Sequence, residues 1–204
     1  MTALQRSYPV HDLLRWIHGP NQLGCIRLYK ENFDLFKKTQ GSTNNHQAWP
    51  GGYHDHIAEI MNIGMVLYNT LSAYRKLSFT LSDVLLITFL HDVEKPFKYD
   101  IDEDGVLHVK PHLTQKRAQH KFRMALLKKY GIELNDMQLN AMKYVEGEGK
   151  DYSSRNRVMN ELAALCHMAD VASARIWYNH PAEGHDSWLG AKRCCAASPA
   201  AESK

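Results

Sequence analysis

Hydrophobic positions recur at helical spacing along most of this chain. Between residues 53 and 74, Ile57, Ile60, Ile63 and Leu67 fall three or four places apart, so they would share one face of an α-helix. Similar patterns elsewhere end at glycine, proline or capping residues, which are typical helix boundaries. The sequence therefore predicts helices over 10–17, 23–38, 53–74, 81–94, 114–130, 135–145 and 153–175.

The most apolar of the predicted helices carries the unbroken run 84–90. Thr80 or Ser82 stands where an N-cap would satisfy its first backbone N–H groups. Pro96 is expected to end the helix near Glu94, because the residue before a proline resists the α conformation. A run this apolar predicts a helix that is buried in the core.

The pattern then changes to two alternating stretches, 97–101 and 106–109. The polar segment between them ends in Asp-Gly, which is typical of a β-hairpin turn. The predicted fold class is all-α: a mainly helical single domain over 1–190 with one small β-hairpin. Residues 191–204 lack a core pattern, and we expect this tail to be disordered.

Composition narrows the function classes. The formal net charge of the 204 residues is only +3, so bulk charge does not indicate a nucleic-acid binder. The four cysteines lack zinc-type spacing and are expected to be reduced thiols in a cytoplasmic protein. No secretory leader is recognisable, and no apolar run approaches the ~20 residues that span a bilayer. The twelve histidines are unusual and raise the expectation of a metal or proton-transfer site.

Histidine and aspartate residues stand in the first turn of one predicted helix, at the end of a second and deep in a third. His56 lies in the first turn of helix 53–74, and His91 and Asp92 end the apolar helix. Asp170 lies in an otherwise apolar stretch, where a buried carboxylate is costly unless it is paired or bound to a metal. Antiparallel packing would bring these residues together, and imidazole nitrogen with carboxylate oxygen suits a divalent metal.

Three segments resemble the HD superfamily of metal-dependent phosphohydrolases. Residues 46–56, HQAWPGGYHDH, are similar to the family's HHAYPGGLLEH segment, and 91–95, HDVEK, resemble HDIGK with Glu94 in place of glycine. Residues 161–170 are similar to the segment around the family's last ligand. The resemblance covers about 46–175 and implies an HD-domain-like helical bundle. The metal ligands that it implies are His56 (rather than His54), His91, Asp92 and Asp170.

The resemblance leaves the number of metal ions open. Many two-metal members place further histidines between the His-Asp pair and the last aspartate. His120 fits the first of these positions, with His112 as a rival, and Glu148 or Glu146 stands where the second would fall. One or two ions are therefore compatible with the sequence. The candidate ions are Mn²⁺, Fe²⁺, Co²⁺, Zn²⁺ and Mg²⁺.

The implied activity is hydrolysis of a phosphate ester or anhydride by a metal-activated water. The expected substrate is a small phosphorylated molecule, above all a nucleotide. Asp92 and Lys95 are predicted to be catalytic, and Glu94 is a candidate general acid or base. The residues predicted to bind the substrate phosphate are Lys95, Lys98, Arg117, Lys121 and Arg175.

Two alternatives stay open at this point. A paired-iron member of the same superfamily would be an oxygenase, with His120 and a glutamate holding the second iron. A nucleotide-sensing module would keep the fold without turnover. An extended nucleic acid is less expected as a partner, because the basic excess is small. A membrane partner is not expected, and a homo-oligomer is compatible with the sequence.

Overall fold

The protein is mainly α-helical and has one small antiparallel hairpin, as the spacing of its hydrophobic residues predicts. The structure is a computed structural model that describes residues 6–101 and 107–195. Its helices are α1 (Val10–Leu14), α2 (Asn21–Glu31), α3 (Phe33–Lys38), α4 (Gly52–Tyr74), α5 (Leu81–Leu90), α6 (Lys95–Lys98), α7 (Lys116–Lys129), α8 (Asp136–Tyr144) and α9 (Glu161–Val171), and its strands are β1 (Tyr99–Ile101) and β2 (Leu107–Val109).

Helix α4 forms the centre of the fold and packs against both α5 and α9. Ile57, Ile60 and Ile63 are buried on it, as their spacing predicts. Gly64 allows α5 to approach closely, because a Cβ atom at this position would lie 2.9 Å from a methyl group of Val84. His56 lies on α4, Asp170 lies on α9, and His91 and Asp92 directly follow α5, so the packing of these three helices determines the geometry of the site.

Helix α5 begins where the sequence predicts but ends earlier. Thr80 is its N-cap, within a capping box that it forms with Asp83. The helix ends at Leu90 rather than near Glu94. Pro96 does not end it; instead this proline lies in the first turn of α6, where no intrahelical N–H bond is needed. The turn between the two helices carries His91 and Asp92.

The predicted helix 23–38 is in fact two helices. Asn32 interrupts it with φ −118° and ψ 15°, outside the helical region. Its side-chain amide donates to the Leu28 carbonyl at 2.8 Å, which satisfies a group that the broken helix leaves unpaired. Periodicity could not reveal this break, because the apolar spacing continues through it.

The predicted helix 153–175 is also shorter than expected. It begins at Glu161, and its N-cap is Asn160, whose side chain accepts from the Ala163 N–H at 2.8 Å. Residues 153–159 precede the helix in irregular structure. At the other end, α9 continues into a π-helical turn, Ala172–Ile176.

The hairpin and the tail also differ in extent from the prediction. Residues 97 and 98 belong to α6, so β1 begins at Tyr99, which pairs with Val109. The predicted turn 102–105 lies outside the described residues, as does the tail from 196 onward. Residues 191–195, by contrast, lie against α4, where the Cys194 N–H donates to Asp55 at 2.8 Å. Among the described helices, none has both the length and the apolar character to cross a membrane.

Candidate metal centre

Three of the four predicted ligands converge at one place. His56 comes from the first turns of α4, His91 follows α5, and Asp170 lies near the end of α9. Asp170 Oδ1 is 3.3 Å from His56 Nε2 and 3.8 Å from His91 Nε2. One ligand atom from each residue lies within 4.8 Å of the other two. The structure therefore contains a His/Asp cluster that could hold a metal ion.

Each of the two histidines turns a ring nitrogen without a hydrogen-bond partner toward this cluster. The Nε2 atoms of His56 and His91 are buried and have no hydrogen-bond partner. Buried polar atoms are normally hydrogen-bonded, so two such atoms facing one carboxylate require an explanation. His91 Nδ1 donates to the Thr88 carbonyl at 2.8 Å, and a carbonyl can only accept. The neutral imidazole of His91 therefore has its lone pair on Nε2, as a metal ligand does.

A buried network fixes the second imidazole in the same way. Ser173 donates its hydroxyl hydrogen to Glu59 Oε2 at 2.6 Å, and Gln47 Nε2 donates to the same oxygen at 2.8 Å. The Ser173 oxygen is thus left to accept from His56 Nδ1, 3.0 Å away. His56 Nε2 then carries the lone pair. Burial raises the pKa of Glu59, whereas the hydrogen bonds that it accepts from Ser173 and Gln47 act to lower it.

The fourth predicted ligand borders the cluster rather than joining it. Asp92 Oδ2 is 3.4 Å from His91 Nε2 and bonds Lys95 Nζ at 2.5 Å. Burial alone would raise the pKa of Asp92, but Lys95 and His91 outweigh it and hold that pKa well below the ordinary value. Burial likewise opposes the ionisation of Asp170, and His56 and His91 lower its pKa nonetheless. Both carboxylates are therefore ionised at neutral pH.

The two imidazoles differ in their protonation. Burial lowers the pKa of His56 to about 4, so this ring is neutral near pH 7. Burial also acts to lower the pKa of His91, but Asp92 and Asp170 outweigh it and raise the pKa to about 8. In the absence of a cation, His91 consequently holds a proton that a metal ion would have to displace.

Among the described residues, Lys95 is the one predicted phosphate-binding residue that bonds Asp92, which borders this cluster. Lys98 is half-buried, with its ammonium 5.5 Å from the ring centroid of Tyr99. The other basic residues are exposed and make no described hydrogen bond or ion pair with the cluster. These residues are Arg117, Lys121 and Arg175.

Glu94 has a partner that the sequence did not suggest. Its Oε2 and Oε1 atoms accept from Arg123 Nε at 2.7 Å and from a terminal nitrogen of Arg123 at 2.6 Å. Both side chains are buried. Because both oxygens are engaged, the structure offers no free Glu94 carboxylate for the predicted proton transfer. The pair instead links the turn after α5 to α7.

Within the described part of the chain, the candidates for a second metal do not join the cluster. His120 and His112 are exposed. Glu148 accepts from the Met159 N–H at 3.3 Å, and Glu146 pairs with Lys116 at 3.6 Å. The described side chains thus favour a single ion at this place.

His46 is a neighbour of the cluster to which the sequence assigned no role. Its ring centroid is 4.8 Å from that of His56. Burial lowers its pKa, and the nearby Lys95 ammonium lowers it further. His46 is the first residue of the segment that resembles the HD superfamily, so the sequence did contain a signal that pointed to it.

No family model matches this chain, and no curated protein or solved structure is significantly similar to it. The resemblance to the HD superfamily therefore remains a prediction from three short segments. The proximity of His56, His91 and Asp170 is a separate observation that does not depend on that resemblance.

Removing the Ser173 hydroxyl should weaken metal binding at this centre. In a Ser173→Ala variant, His56 Nδ1 loses its acceptor, so the ring is no longer held in one tautomer. Loss of such an outer partner typically lowers metal affinity about 10- to 100-fold. Calorimetric titration with Mn²⁺ measures this change, with Ser72→Ala, which changes a half-buried serine near the other end of α4, as the control. Equal affinity in both variants would show that the network does not position His56.

Proposed function

We propose that this protein is a metal-dependent phosphohydrolase that acts on a nucleotide or another small phosphate ester or anhydride. The observation that carries the proposal is the pair of buried, unpartnered Nε2 atoms facing Asp170 Oδ1. Two nitrogens and carboxylate oxygen suit Mn²⁺, Fe²⁺, Co²⁺ or Zn²⁺ well, and Mg²⁺ less well. The choice of phosphate chemistry rests on the resemblance to the HD superfamily and on Lys95.

The residues divide into those that hold the ion and those that handle the substrate. His56, His91 and Asp170 would hold a divalent ion, with Asp92 beside them. Such an ion supplies a Lewis acid that lowers the pKa of water and offsets the charge of a phosphate under attack. Lys95 lies at the edge of the cluster, bonded to Asp92, and its ammonium would orient a phosphate oxygen.

Lys95 remains charged at this position. Burial alone would lower the pKa of its ammonium group, but Asp92, and more weakly Asp170 and Glu146, raise it above the ordinary value. The lysine therefore contributes a permanent positive charge to substrate binding and cannot act as a base near pH 7.

The activity is tested with a panel of nucleoside mono-, di- and triphosphates and Mn²⁺, Co²⁺, Mg²⁺ or Fe²⁺. We expect release of a phosphate product with at least one combination of nucleotide and metal, and no release by the Asp170→Ala variant. Tight nucleotide binding without product under all four metals would favour the sensing module instead. Oxygen uptake with two irons per chain would favour the oxygenase. Activity that is undiminished in Asp170→Ala would remove the proposal.

Metal affinity at this centre should increase with pH and level off above about 8. Below that pH, the ion must displace the proton of His91, whose pKa is raised to about 8, whereas His56 is already neutral. Affinity should then change by about tenfold per pH unit between about pH 6 and 7.5, with about one proton released per ion. Calorimetry with Mn²⁺ in two buffers of different ionisation enthalpy measures both quantities. An affinity that is flat over this range would contradict the assigned protonation.

A further inference from the structure

A second group of ligand-type side chains lies where the end of the described chain meets the start of α4. A ring nitrogen of His54, a carboxylate oxygen of Asp55 and Cys194 Sγ lie within 4.8 Å of one another. Cys195 Sγ is 3.6 Å from Cys194 Sγ. None of these four residues belongs to the centre at His56.

His54, like the two histidines of that centre, has a buried ring nitrogen that is not hydrogen-bonded. Its Nδ1 atom is buried and has no hydrogen-bond partner. Its other nitrogen, Nε2, is held by the Tyr29 hydroxyl at 2.9 Å. Asp55 Oδ1 is 3.5 Å from Nδ1 but does not complete a hydrogen bond to it. The imidazole is therefore fixed with an unused nitrogen that faces a carboxylate and a thiol.

Asp55 is a buried carboxylate without a lysine or arginine partner among the described residues. Only 1% of its surface is exposed. It accepts from the Cys194 N–H at 2.8 Å and from Trp49 Nε1 at 2.9 Å, and no described lysine or arginine pairs with it. Burying an anion is costly unless a positive charge lies close to it. A cation beside Asp55 would supply that charge.

The glycine turn before α4 leaves room for the two thiols. Gly51 has φ +85°, and a Cβ atom there would lie 2.5 Å from Cys194 Sγ and 3.0 Å from Cys195 Sγ. Cys194 Sγ lies 3.4 Å from the Gly51 carbonyl, and Cys195 Sγ lies 3.4 Å from the Lys37 carbonyl. A cavity of about 210 Å³ is lined by His54 and Cys194, among other residues.

We propose that His54, Asp55, Cys194 and Cys195 form a binding site for a thiophilic divalent ion of the Zn²⁺ class. Sulfur and imidazole ligands select such ions over Mg²⁺ or Ca²⁺. Two sulfurs bound at about 2.3 Å to a tetrahedral zinc ion stand about 3.8 Å apart, close to the 3.6 Å observed. Each thiol that binds releases its proton to solvent. The ion would fasten residues 194 and 195 to the first turn of α4.

The site is tested by titrating the reduced, full-length protein with Co²⁺, which reports sulfur ligands through an intense thiolate-to-cobalt absorption in the near ultraviolet. We expect this band in the wild type and its loss in the Cys194→Ser/Cys195→Ser double variant. His54→Gln should weaken it, and Cys25→Ala, which removes a thiol elsewhere, should preserve it. Circular dichroism verifies that each variant is folded.

Absence of the band in the reduced wild type, or its persistence in the double variant, would overturn the proposal. The Asp170→Ala variant separates this site from the centre at His56, because it should keep the band while losing the other ion. Zn²⁺ provides a second measurement that does not depend on absorption. It should raise the melting temperature of the Asp170→Ala variant by several degrees, and it should leave unchanged that of a variant that carries Asp170→Ala together with both cysteine substitutions.

Discussion

An Asp170→Ala variant is expected to lose metal binding at the His56 centre and, with it, all phosphate release. Asp170 Oδ1 is the oxygen that faces both unpartnered imidazole nitrogens. Without it, two neutral nitrogens remain as ligands, and the ion loses a negative charge that offsets its own. Removing an outer partner costs about 10- to 100-fold in affinity, so loss of a direct ligand should cost at least about 100-fold. Titration with Mn²⁺ and product release in the same preparation measure the effect.

The fold should survive this substitution. The Asp170 side chain contacts His56 and His91, and it is partly exposed rather than packed in the apolar core. The melting temperature of the metal-free variant should therefore lie within a few degrees of the wild type. Asp34→Ala, which changes an exposed aspartate on α3, is the control and should leave both readouts unchanged. If the Asp170→Ala variant bound Mn²⁺ with the affinity of the wild type, the ion would have to lie elsewhere in the protein.

A Gly52→Ala variant is expected to be strongly destabilised. A Cβ atom at Gly52 would lie 1.8 Å from the Gln47 carbonyl oxygen and 2.7 Å from its carbon. Both atoms belong to the backbone, so a side-chain rotation cannot relieve the clash. The loop before α4 would have to move, and with it the Gln47 amide that bonds Glu59 at 2.8 Å. We expect a loss of about 3 kcal/mol in the free energy of unfolding, measured by urea titration.

Gly131→Ala is the matched control for this variant. No atom lies within 4 Å of a Cβ at Gly131, so only the positive φ of +68° opposes the substitution. That strain costs about 1 kcal/mol. If Gly52→Ala is no less stable than Gly131→Ala, the Gln47 carbonyl group does not lie as close to Gly52 as described.

The fold was predictable from the sequence wherever a local pattern determines structure. The periodic stripe of α4 and the Thr80 cap of α5 both appear as expected. The break at Asn32 and the late start of α9 after Asn160 were not predicted, because each depends on a side-chain amide that bonds one backbone group. Pro96 was misread for a related reason, since a proline is as acceptable in the first turn of a helix as it is beyond the end of one.

The candidate centre was predictable only in part. His56, His91 and Asp170 were identified by their residue types and by resemblance, and the structure places them together. The bond from Ser173 to Glu59 was invisible in the sequence, because the two residues are far apart along the chain. The Cys194 and His54 group was missed because zinc-type spacing was sought among the cysteines alone.

The most direct test of the metal centre is anomalous X-ray diffraction from crystals grown with Mn²⁺. We expect a single strong anomalous peak within coordination distance of His56 Nε2, His91 Nε2 and a carboxylate oxygen of Asp170. Absence of that peak, with the two Nε2 atoms instead hydrogen-bonded to protein groups, would contradict the account.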